Sequence, residues 1–432
     1  MENAVYRDVR GEAVLVGIMA EGASGPEFCY DATYLAAPDA APLSFSLPLR
    51  GDPYALAEFR PYFEGLLPEG PPLRRLAVSL GIDEADWLDM LFRCGLDCVG
   101  DVVVDRDAFS CKREYRALSP DDLASLARRP AGQTEALEAS RLSLAGTQDK
   151  CGLYHDPRKS EDEGWHLPLG GAPSNFIVKF ASDEHPHLVV VEKVCLDAAR
   201  ACGIAVPESF LLDVGRPALC VKRFDRAMPD AHVAQSGSGV DGLPVPLRLH
   251  QEDFSQAFGL LPGSKYGELH PSTAACIAAF LRRYSLRPAA DLEQLARIVV
   301  FDYLVGNCDN HLKNLSIMHE SRGLRVRLAP AYDLVGTTLF ARYSRRMGMR
   351  IGKAALIDDV RAEDFAHLAS ELGVTRRFME GVAAGMADGI VGGLREAGDV
   401  LGSRGFSVAP YLADDLAQDC ASRLSVLASF AR

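Results

Sequence analysis

The most informative segment of the sequence is Val305-Gly306-Asn307-Cys308-Asp309-Asn310-His311-Leu312-Lys313-Asn314. It follows LEQLARIVVFDYLV (292–305), an apolar segment with helical spacing, so it predicts a loop that leaves a rigid support. Asp309 and Asn314 stand in the spacing D-x-x-x-x-N, by which a phosphoryl-transfer loop places a base and a metal-binding amide near one phosphate. In this interpretation Asp309 accepts the proton of the attacking hydroxyl, and Asn314 gives its carbonyl oxygen to Mg²⁺.

A second acidic residue, Asp333, ends the segment LAPAYD (328–333). The intervening SIMHESRGLRVRLAP (316–330) predicts a β-hairpin with a turn at 320–323, which would return Asp333 to Asn314 as a second Mg²⁺ ligand. The alternative is that Asp309 and Asn314 cap a helix and that Asp333 lies in a turn. Each residue alone is more often structural, but the three in this order favour phosphoryl transfer.

A turn of small residues is predicted between two strands at Leu142-Ser143-Leu144-Ala145-Gly146-Thr147-Gln148-Asp149-Lys150. Backbone N–H groups in such a turn can cradle phosphate oxygens. The segment lacks both GxGxxG and the Walker spacing, so by itself it is more typical of an ordinary loop.

Lys179 ends the apolar strand segment FIVKF (176–180), where a lysine resembles the one that contacts the α- and β-phosphates of ATP. Glu192, on a predicted helix further along, would be its ion-pair partner. The alternative is a lysine that extends its charged end from a strand terminus into solvent.

Lys222, Arg223 and Phe224 follow another apolar strand and predict a hinge. Its backbone N–H and C=O groups would recognise adenine, with Phe224 near the ring. The alternative is a salt-bridged strand end, formed by Arg223 with Asp225 and Arg226.

The order of patterns predicts an α+β chain with a two-lobed, protein-kinase-like fold. Strand-like segments and a few helices come first, a Gly- and Pro-rich stretch follows at 227–247, and helices dominate beyond it. We expect a β-rich amino-terminal lobe that includes an extra small β domain, and an all-α carboxyl-terminal lobe. The predicted boundaries are 1–115 for the small β domain with its helices, 116–247 for the amino-terminal lobe and 248–432 for the helical lobe.

Composition excludes several other classes of protein. The net charge of -13 argues against broad, non-specific nucleic-acid binding. The beginning of the chain is not typical of a secretory signal, and no apolar run predicts a membrane span. The eleven cysteines show no zinc-site spacing and are expected to be reduced, buried thiols of a cytoplasmic protein, with Cys308 as a packing residue.

Motifs spread over nearly the whole chain resemble the HipA family of bacterial serine/threonine kinases, the toxins of HipBA-type toxin–antitoxin pairs. The matching segments, in chain order, are FCYDATYL (28–35), LSFSLPLR (43–50), FEGLLPEGPPLRRLA (63–77), GLDCVGDVVV (95–104), SLAGTQDK (143–150), FIVKF (176–180), VPES (206–209), VKRFDR (221–226), LHQEDFSQAFG (249–259), GNCDNHLKNLSI (306–317) and LAPAYDLV (328–335).

The resemblance implies an ATP- and Mg²⁺-dependent kinase that acts on Ser or Thr of a protein, with aminoacyl-tRNA synthetases as the substrate class. Asp309 matches the catalytic base, Asn314 and Asp333 match the Mg²⁺ ligands, and Ser143 matches the autophosphorylated serine. The residues that match nucleotide contacts are Ala145, Gly146, Thr147, Gln148, Asp149, Lys150, Lys179, Lys222, Arg223, Phe224, His311, Leu312, Lys313, Asn314, Tyr332 and Asp333.

The resemblance also implies regulation and a partner. A phosphate on Ser143 would add about -1.5 to -2 charge beside the ATP phosphates, so repulsion would push the loop out and inactivate the enzyme. Family members bind a small, HipB-like helix-turn-helix antitoxin that sits on operator DNA, and no membrane partner is expected. One departure is Lys222, which stands where an acidic residue is frequent in relatives.

Two other functions fit parts of the pattern. A small-molecule kinase on a related scaffold could use the same loop on sugar or lipid hydroxyls. A co-repressor that has lost catalysis could keep the fold as a binding module, although Asp309, Asn314, Asp333 and Lys179 are all present.

Overall fold

The protein is a mixed α/β chain, which confirms the predicted fold class. The computed structural model describes residues 3–9, 11–23, 25–105, 112–141, 144–146, 148–229, 239–320 and 325–431. The chain divides into two compact units. The first unit comprises Met1–Ala181, Ser209–Pro262 and Met318–Leu324, and the second comprises Ser182–Glu208, Gly263–Ile317 and Arg325–Arg432.

The strands and helices are numbered here in chain order. The strands are β1 Asn3–Val9, β2 Glu12–Gly22, β3 Gly25–Tyr30, β4 Tyr54–Ala55, β5 Val102–Asp105, β6 Glu114–Ala117, β7 Lys150–His155, β8 Trp165–Leu169, β9 Phe176–Phe180, β10 Ser209–Asp213, β11 Pro217–Lys222, β12 Arg226–Ala227, β13 Leu247–Arg248, β14 Gln251–Asp253, β15 Ser316–His319, β16 Val326–Leu328, β17 Arg346–Ile351 and β18 Ala354–Leu356. The α-helices are α1 Ala32–Ala36, α2 Leu56–Glu64, α3 Gly70–Leu80, α4 Trp87–Cys94, α5 Pro120–Arg128, α6 Pro130–Ser140, α7 Leu188–Ala201, α8 Phe254–Ala257, α9 Thr273–Tyr284, α10 Pro288–Val305, α11 Ala362–Leu372, α12 Arg376–Ser403 and α13 Ala409–Phe430. Short 3₁₀ turns lie at Pro262–Ser264, Leu312–Asn314, Thr337–Leu339 and Ile357–Asp359.

The first sheet of the first unit is antiparallel, with strand order β4-β3-β2-β1-β5. Helices α2 and α4 pack on it, because alternate residues of its strands and one stripe of each helix are apolar. Phe28 of β3 meets Phe63 of α2 with ring centroids 5.5 Å apart, and both are fully buried. Burial of one such side chain stabilises the fold by about 1.5–3 kcal/mol.

The second sheet of this unit has the order β10-β11-β9-β7-β8-β6. Trp165, Phe176 and Phe210 form its aromatic core, with Phe176 5.5 Å from Trp165 and 5.6 Å from Phe210 between ring centroids. The register pairs Lys150 of β7 with Lys179 of β9, so the two lysines point to the same face of the sheet.

The second unit is built mainly from helices. The long helices α12 and α13 pack on each other, and both α7 and α10 pack on α12. Tyr303 of α10 meets Phe365 of α11 with ring centroids 5.3 Å apart, and Phe365 lies 5.7 Å from Phe430 of α13. Among the helices of the described residues, none is both long enough and apolar enough to cross a membrane.

Gly306 ends α10 and turns the chain into the loop that the sequence singled out. Its φ is +77°, a left-handed conformation that favours glycine. A β-carbon at this position would collide with the hydroxyl oxygen of Thr338. Glycine is therefore required here both by the backbone conformation and by the close approach of the 3₁₀ turn that contains Thr338.

Several local predictions differ from the structure. The alternating pattern of LSFSLPL (43–49) predicts a strand, but the segment forms a turn in which Leu47 N–H donates to Ser44 O, since Pro48 has no N–H for a ladder. The pattern of FCYDATYLA (28–36) also predicts a strand, but β3 ends at Tyr30, because Asp31 accepts from the N–H groups of Thr33 and Tyr34 and caps helix α1. The helical lobe is not all-α, because β17 pairs with β18 there.

Candidate active site

Asn307 is the residue that organises the loop after α10. Its Nδ2 donates to Asp302 Oδ1 at 2.8 Å and to the backbone oxygen of Asp333 at 3.4 Å. Its Oδ1 accepts from the N–H of Asp309 at 3.1 Å. One buried carboxamide therefore fixes the position of the predicted base relative to the predicted metal ligand Asp333.

The loop itself folds into a compact turn between Asp309 and Asn314. The backbone oxygen of Asp309 accepts from His311 N–H at 2.9 Å and from Asn314 Nδ2 at 2.8 Å. The N–H of Asn314 in turn donates to His311 O at 2.9 Å. With its amide nitrogen held inside the turn, the carbonyl oxygen of Asn314 is the atom left to bind a cation.

Asp333 reaches the site through the hairpin. Ala329 N–H donates to Ser316 O at 2.8 Å, and the Tyr332 hydroxyl donates to Lys313 O at 2.7 Å and lies 2.6 Å from Ser316 Oγ. The strands of the predicted hairpin are present as β15 and β16, while most of its turn lies outside the described residues. Asp333 has φ +54°, which a non-glycine residue rarely adopts and which is typical of functional sites.

The donor set fits Mg²⁺. Asn314 and Asp333 offer a carboxamide and a carboxylate oxygen, the hard ligands that this cation prefers, and Mg²⁺ is usually held by one or two such groups together with substrate phosphates. In the described part of the chain, no three or more His, Cys, Asp or Glu side chains form a ready metal cage. The residues therefore fit a cation that is shared with a bound phosphate.

The Asp309 carboxylate lies partly open to solvent, with its side chain 41% exposed. Tyr266 donates its hydroxyl to Asp309 Oδ1, and His311 Nε2 lies 3.8 Å from the same oxygen. Burial raises the pKa of Tyr343, and the nearby negative charge of Asp309 raises it further.

The loop is supported from behind by the last helix. Arg423 of α13 donates from Nε to the backbone oxygen of Leu304 at 3.1 Å, which satisfies a carbonyl at the end of α10. Asp419 pairs with Arg423 and accepts from Thr338 Oγ1 at 2.6 Å. Burial raises the pKa of the Cys308 thiol, which agrees with its predicted packing role.

Asp302 is a buried carboxyl whose titration can be measured. Burial raises its pKa from 3.8 to about 7, and the hydrogen bond from Asn307 only partly offsets this. Because the pKa of Asp302 is higher in the folded than in the unfolded protein, its contribution to the free energy of unfolding is complete below about pH 4. This contribution is lost as the pH rises through 7. We expect Asp302→Asn to exceed wild type in free energy of unfolding by roughly 2 kcal/mol at pH 8, with little difference at pH 4.

Urea unfolding of both proteins from pH 4 to pH 8 tests this expectation, since groups other than Asp302 cancel in the difference. Parallel curves over this range would show that the Asp302 carboxyl is not protonated in the folded protein.

The predicted phosphate-binding loop lies in the first unit, with Ser143 and Thr147 outside the described residues. Gly146 has φ +108°, and a β-carbon there would lie 2.8 Å from Lys150 Nζ, so the ammonium sits against the loop backbone. Asp149 pairs with Arg75, and Glu69 N–H donates to Gly146 O at 3.0 Å. A pocket beside the loop is lined by Pro68, Pro72, Arg75, Gln133, Thr134, Leu137, Leu144, Gln148, Asp149 and Lys150.

Lys179 is buried opposite Lys150 on the neighbouring strand, which places two positive charges on one face beside this loop. Glu192 belongs to the second unit, and its pairing with Lys179 stays a prediction.

The predicted hinge is only partly available to a nucleotide. Arg223 N–H donates to Asn175 O at 2.9 Å, and the fully buried guanidinium of Arg223 pairs with Asp225 at 2.7 Å. Arg226 also pairs with Asp225, at 2.9 Å. These three residues form the salt-bridged strand end that the sequence offered as the alternative, while Lys222 is half-buried at the end of β11.

The site contains residues that sequence reasoning missed. The sequence pattern places Asn307 in the loop and Asp302 in an apolar helix, and it assigns a role in the site to neither. The signal for both was present, because a carboxylate in a buried helix rarely lacks a nearby hydrogen-bond donor. Tyr266 carried no sequence signal, since it lies 43 positions before Asp309 in a glycine-rich turn.

Comparisons with known proteins cover both halves of the chain. The family model described as the HipA N-terminal domain matches residues 7–105, and the one described as the HipA-like C-terminal domain matches residues 142–393. A Sinorhizobium fredii protein named "Putative kinase Y4mE" is 34% identical over 391 residues, which cover 86% of this chain and 88% of that protein.

More distant relatives extend the similarity. The protein of Shewanella oneidensis named "Serine/threonine-protein kinase toxin HipA" is 27% identical over 353 residues, 78% of this chain and 76% of that protein. A solved structure described as the Shewanella oneidensis MR-1 toxin–antitoxin complex of HipA, HipB and its operator DNA shares the fold. It gives a TM-score of 0.76 at 21% identity and covers 99% of both chains.

Proposed function

The chain belongs to the HipA family, and from that premise we propose that it is an ATP- and Mg²⁺-dependent serine/threonine protein kinase that transfers the γ-phosphate to a protein. The proposal rests on the hydrogen bonds of the Asn307 side chain. This side chain joins the N–H of Asp309 to the backbone oxygen of Asp333, at the end of a buried helix. A helix cap or a surface turn would not require this arrangement.

Each residue of the second-unit site has a role in the proposed reaction. Asp309 hydrogen-bonds the acceptor hydroxyl and takes its proton as the oxygen attacks the γ-phosphorus. Asn314 and Asp333 present oxygen atoms to Mg²⁺, which when bound neutralises phosphate charge. His311, Leu312, Lys313 and Tyr332 shape the nucleotide side of the loop, and Tyr332 holds Lys313 O and Ser316 in place.

The first unit contains the residues that are proposed to bind the ATP phosphates. We propose that Ala145, Gly146, Thr147, Gln148 and Asp149 bind the phosphates, and that Lys150 and Lys179 add positive charge on one face of the sheet. Lys222 and Phe224 are proposed to contact the adenine base. The side chain of Arg223 is engaged with Asp225. Arg223 therefore contributes by holding the strand end and not by binding the base with its side chain.

We propose that Ser143 is the site of autophosphorylation. Ser143→Ala should abolish self-labelling by ATP, and the variant should then keep phosphorylating an added protein instead of losing activity with time. Tandem mass spectrometry of wild type after incubation with ATP locates the phosphate. Phosphate on a different residue, with Ser143 unmodified, would refute this assignment.

The proposed substrate class is the aminoacyl-tRNA synthetases, and the proposed partner is a HipB-like helix-turn-helix antitoxin. The solved HipA, HipB and operator DNA complex supports a partner of this kind. The net charge of -13 makes direct, non-specific DNA binding unfavourable, so contact with operator DNA would come through the antitoxin.

Labelled ATP added to a cell lysate with the purified protein tests the function. Label in a protein band, absent when Asp309→Asn replaces wild type, supports a protein kinase. Label only in small metabolites would favour a small-molecule kinase, and neither ATP hydrolysis nor labelling with Mg²⁺ present would favour a non-catalytic binding module.

A further inference from the structure

Tyr266 makes a contact with the proposed base that no part of the reaction described above uses. Its hydroxyl donates to Asp309 Oδ1, and its ring meets His311 edge to face, with centroids 4.9 Å apart. The residue is 54% exposed, so packing alone does not hold it there.

The position of this hydroxyl matters because of what a general base requires. An acceptor hydroxyl must come within about 2.6–3.2 Å of the base before its proton can be transferred. At Asp309 Oδ1, the phenol of Tyr266 already makes that hydrogen bond, and the ring covers the approach beside His311. An acceptor that approaches through this oxygen therefore competes with Tyr266 for one place.

We propose that Tyr266 gates the acceptor position: its phenol occupies the place of the acceptor hydroxyl on Asp309 and must leave before phosphoryl transfer can occur. This inference rests on the proposed kinase function. Its consequence is specificity, since a bound protein substrate can displace the ring whereas a single water molecule cannot. The gate thereby suppresses transfer to water, in which a water oxygen bonds to the γ-phosphorus, the β–γ bridging bond breaks to leave ADP, and Asp309 takes the proton.

The backbone around Tyr266 allows it to move. Gly263 and Gly267 flank it, and Gly263 has open space where a side chain would be. The turn contains a hydrogen bond from Gly267 N–H to Ser264 O, at 2.8 Å. A short segment between two glycines can swing the ring away by changing few dihedral angles.

The test is ATP hydrolysis without any protein acceptor. Tyr266→Phe keeps the ring but removes the hydrogen bond, so hydrolysis by the full-length protein should rise on the order of tenfold, the effect of one hydrogen bond to a charged group. The KM for ATP and the melting temperature should not change. Tyr411→Phe is the matched control, because Tyr411 is 73% exposed on α13, and it should hydrolyse ATP at the wild-type rate.

The outcomes separate this inference from the proposed function. Tyr266→Ala removes ring and hydroxyl together and should hydrolyse ATP at least as fast as Tyr266→Phe. If wild type and both variants consume no ATP and wild type labels no protein in the lysate, the kinase proposal itself fails. If none of them consumes ATP but wild type does label a protein, Tyr266 is not a gate. If wild type consumes ATP and Tyr266→Phe is equal or slower, Tyr266 is not a gate and the inference is overturned.

Discussion

Asp309→Asn should lower phosphoryl transfer about 10²–10⁴-fold, the contribution typical of a positioned general base. The carboxamide has the shape of the carboxylate but cannot take a proton. The N–H and C=O of residue 309 keep their hydrogen bonds to Asn307, His311 and Asn314, so the turn should persist. Initial rates of label transfer from ATP, together with calorimetric titration of ATP and Mg²⁺, separate loss of chemistry from loss of binding.

Asp388→Asn is the matched control, since Asp388 is an exposed aspartate on α12 of the same unit. It should transfer phosphate at the wild-type rate. A full rate in Asp309→Asn would remove Asp309 from the role of base, whereas loss of ATP binding would mean that the residue acts in binding instead.

The second large effect is expected on stability, from Asp97→Asn. Asp97 is fully buried in the first unit, and its carboxylate pairs with Arg226 at 2.7 Å and with Arg223 and Arg248 at 3.4 Å. Ser174 adds hydrogen bonds at 3.0 and 2.8 Å from its N–H and hydroxyl. Burial alone would raise the pKa of Asp97, but the three guanidinium groups hold it well below its ordinary value.

Removing this charge leaves buried arginines without compensation, which typically costs about 3–5 kcal/mol. Against a total stability of about 5–15 kcal/mol, the first unit should unfold at a much lower urea concentration. Because the pKa of Asp97 is depressed, its stabilisation is present above about pH 4 and is lost as pH falls further, so the difference between variant and wild type should shrink in acid.

Asp39→Asn serves as the control, because Asp39 is an exposed aspartate of the same unit. Urea unfolding followed by circular dichroism measures all three proteins. If Asp97→Asn unfolds within about 1 kcal/mol of wild type at pH 7, the ion network does not carry the stability assigned to it.

The sequence predicted what local pattern determines. Apolar spacing predicts helix α10 and the two strands of the hairpin. The order of Asp309, Asn314 and Asp333 predicts the loop after α10. Pattern also indicated the two strands that carry Lys150 and Lys179, since apolar residues define each strand, but their pairing comes from the structure.

What pattern did not reveal depends on contacts between distant residues. LSFSLPL alternates like a strand, yet Pro48 and the turn at Ser44 prevent a ladder. The sequence leaves open whether Arg223 faces a nucleotide or a carboxylate. One reason is that Asp97, which holds the guanidinium together with Asp225, lies 126 positions earlier in the chain. The contact of Tyr266 with Asp309 is of the same kind and has no local signature.

The support that Arg423 and Asp419 give to Leu304 and Thr338 has a practical consequence for expression. A protein shortened before residue 419 would still contain every recognisable motif, yet the end of α10 would lose the support of Arg423 and Asp419. Motif content is therefore an insufficient criterion for judging whether a carboxyl-terminally truncated form of this chain is intact.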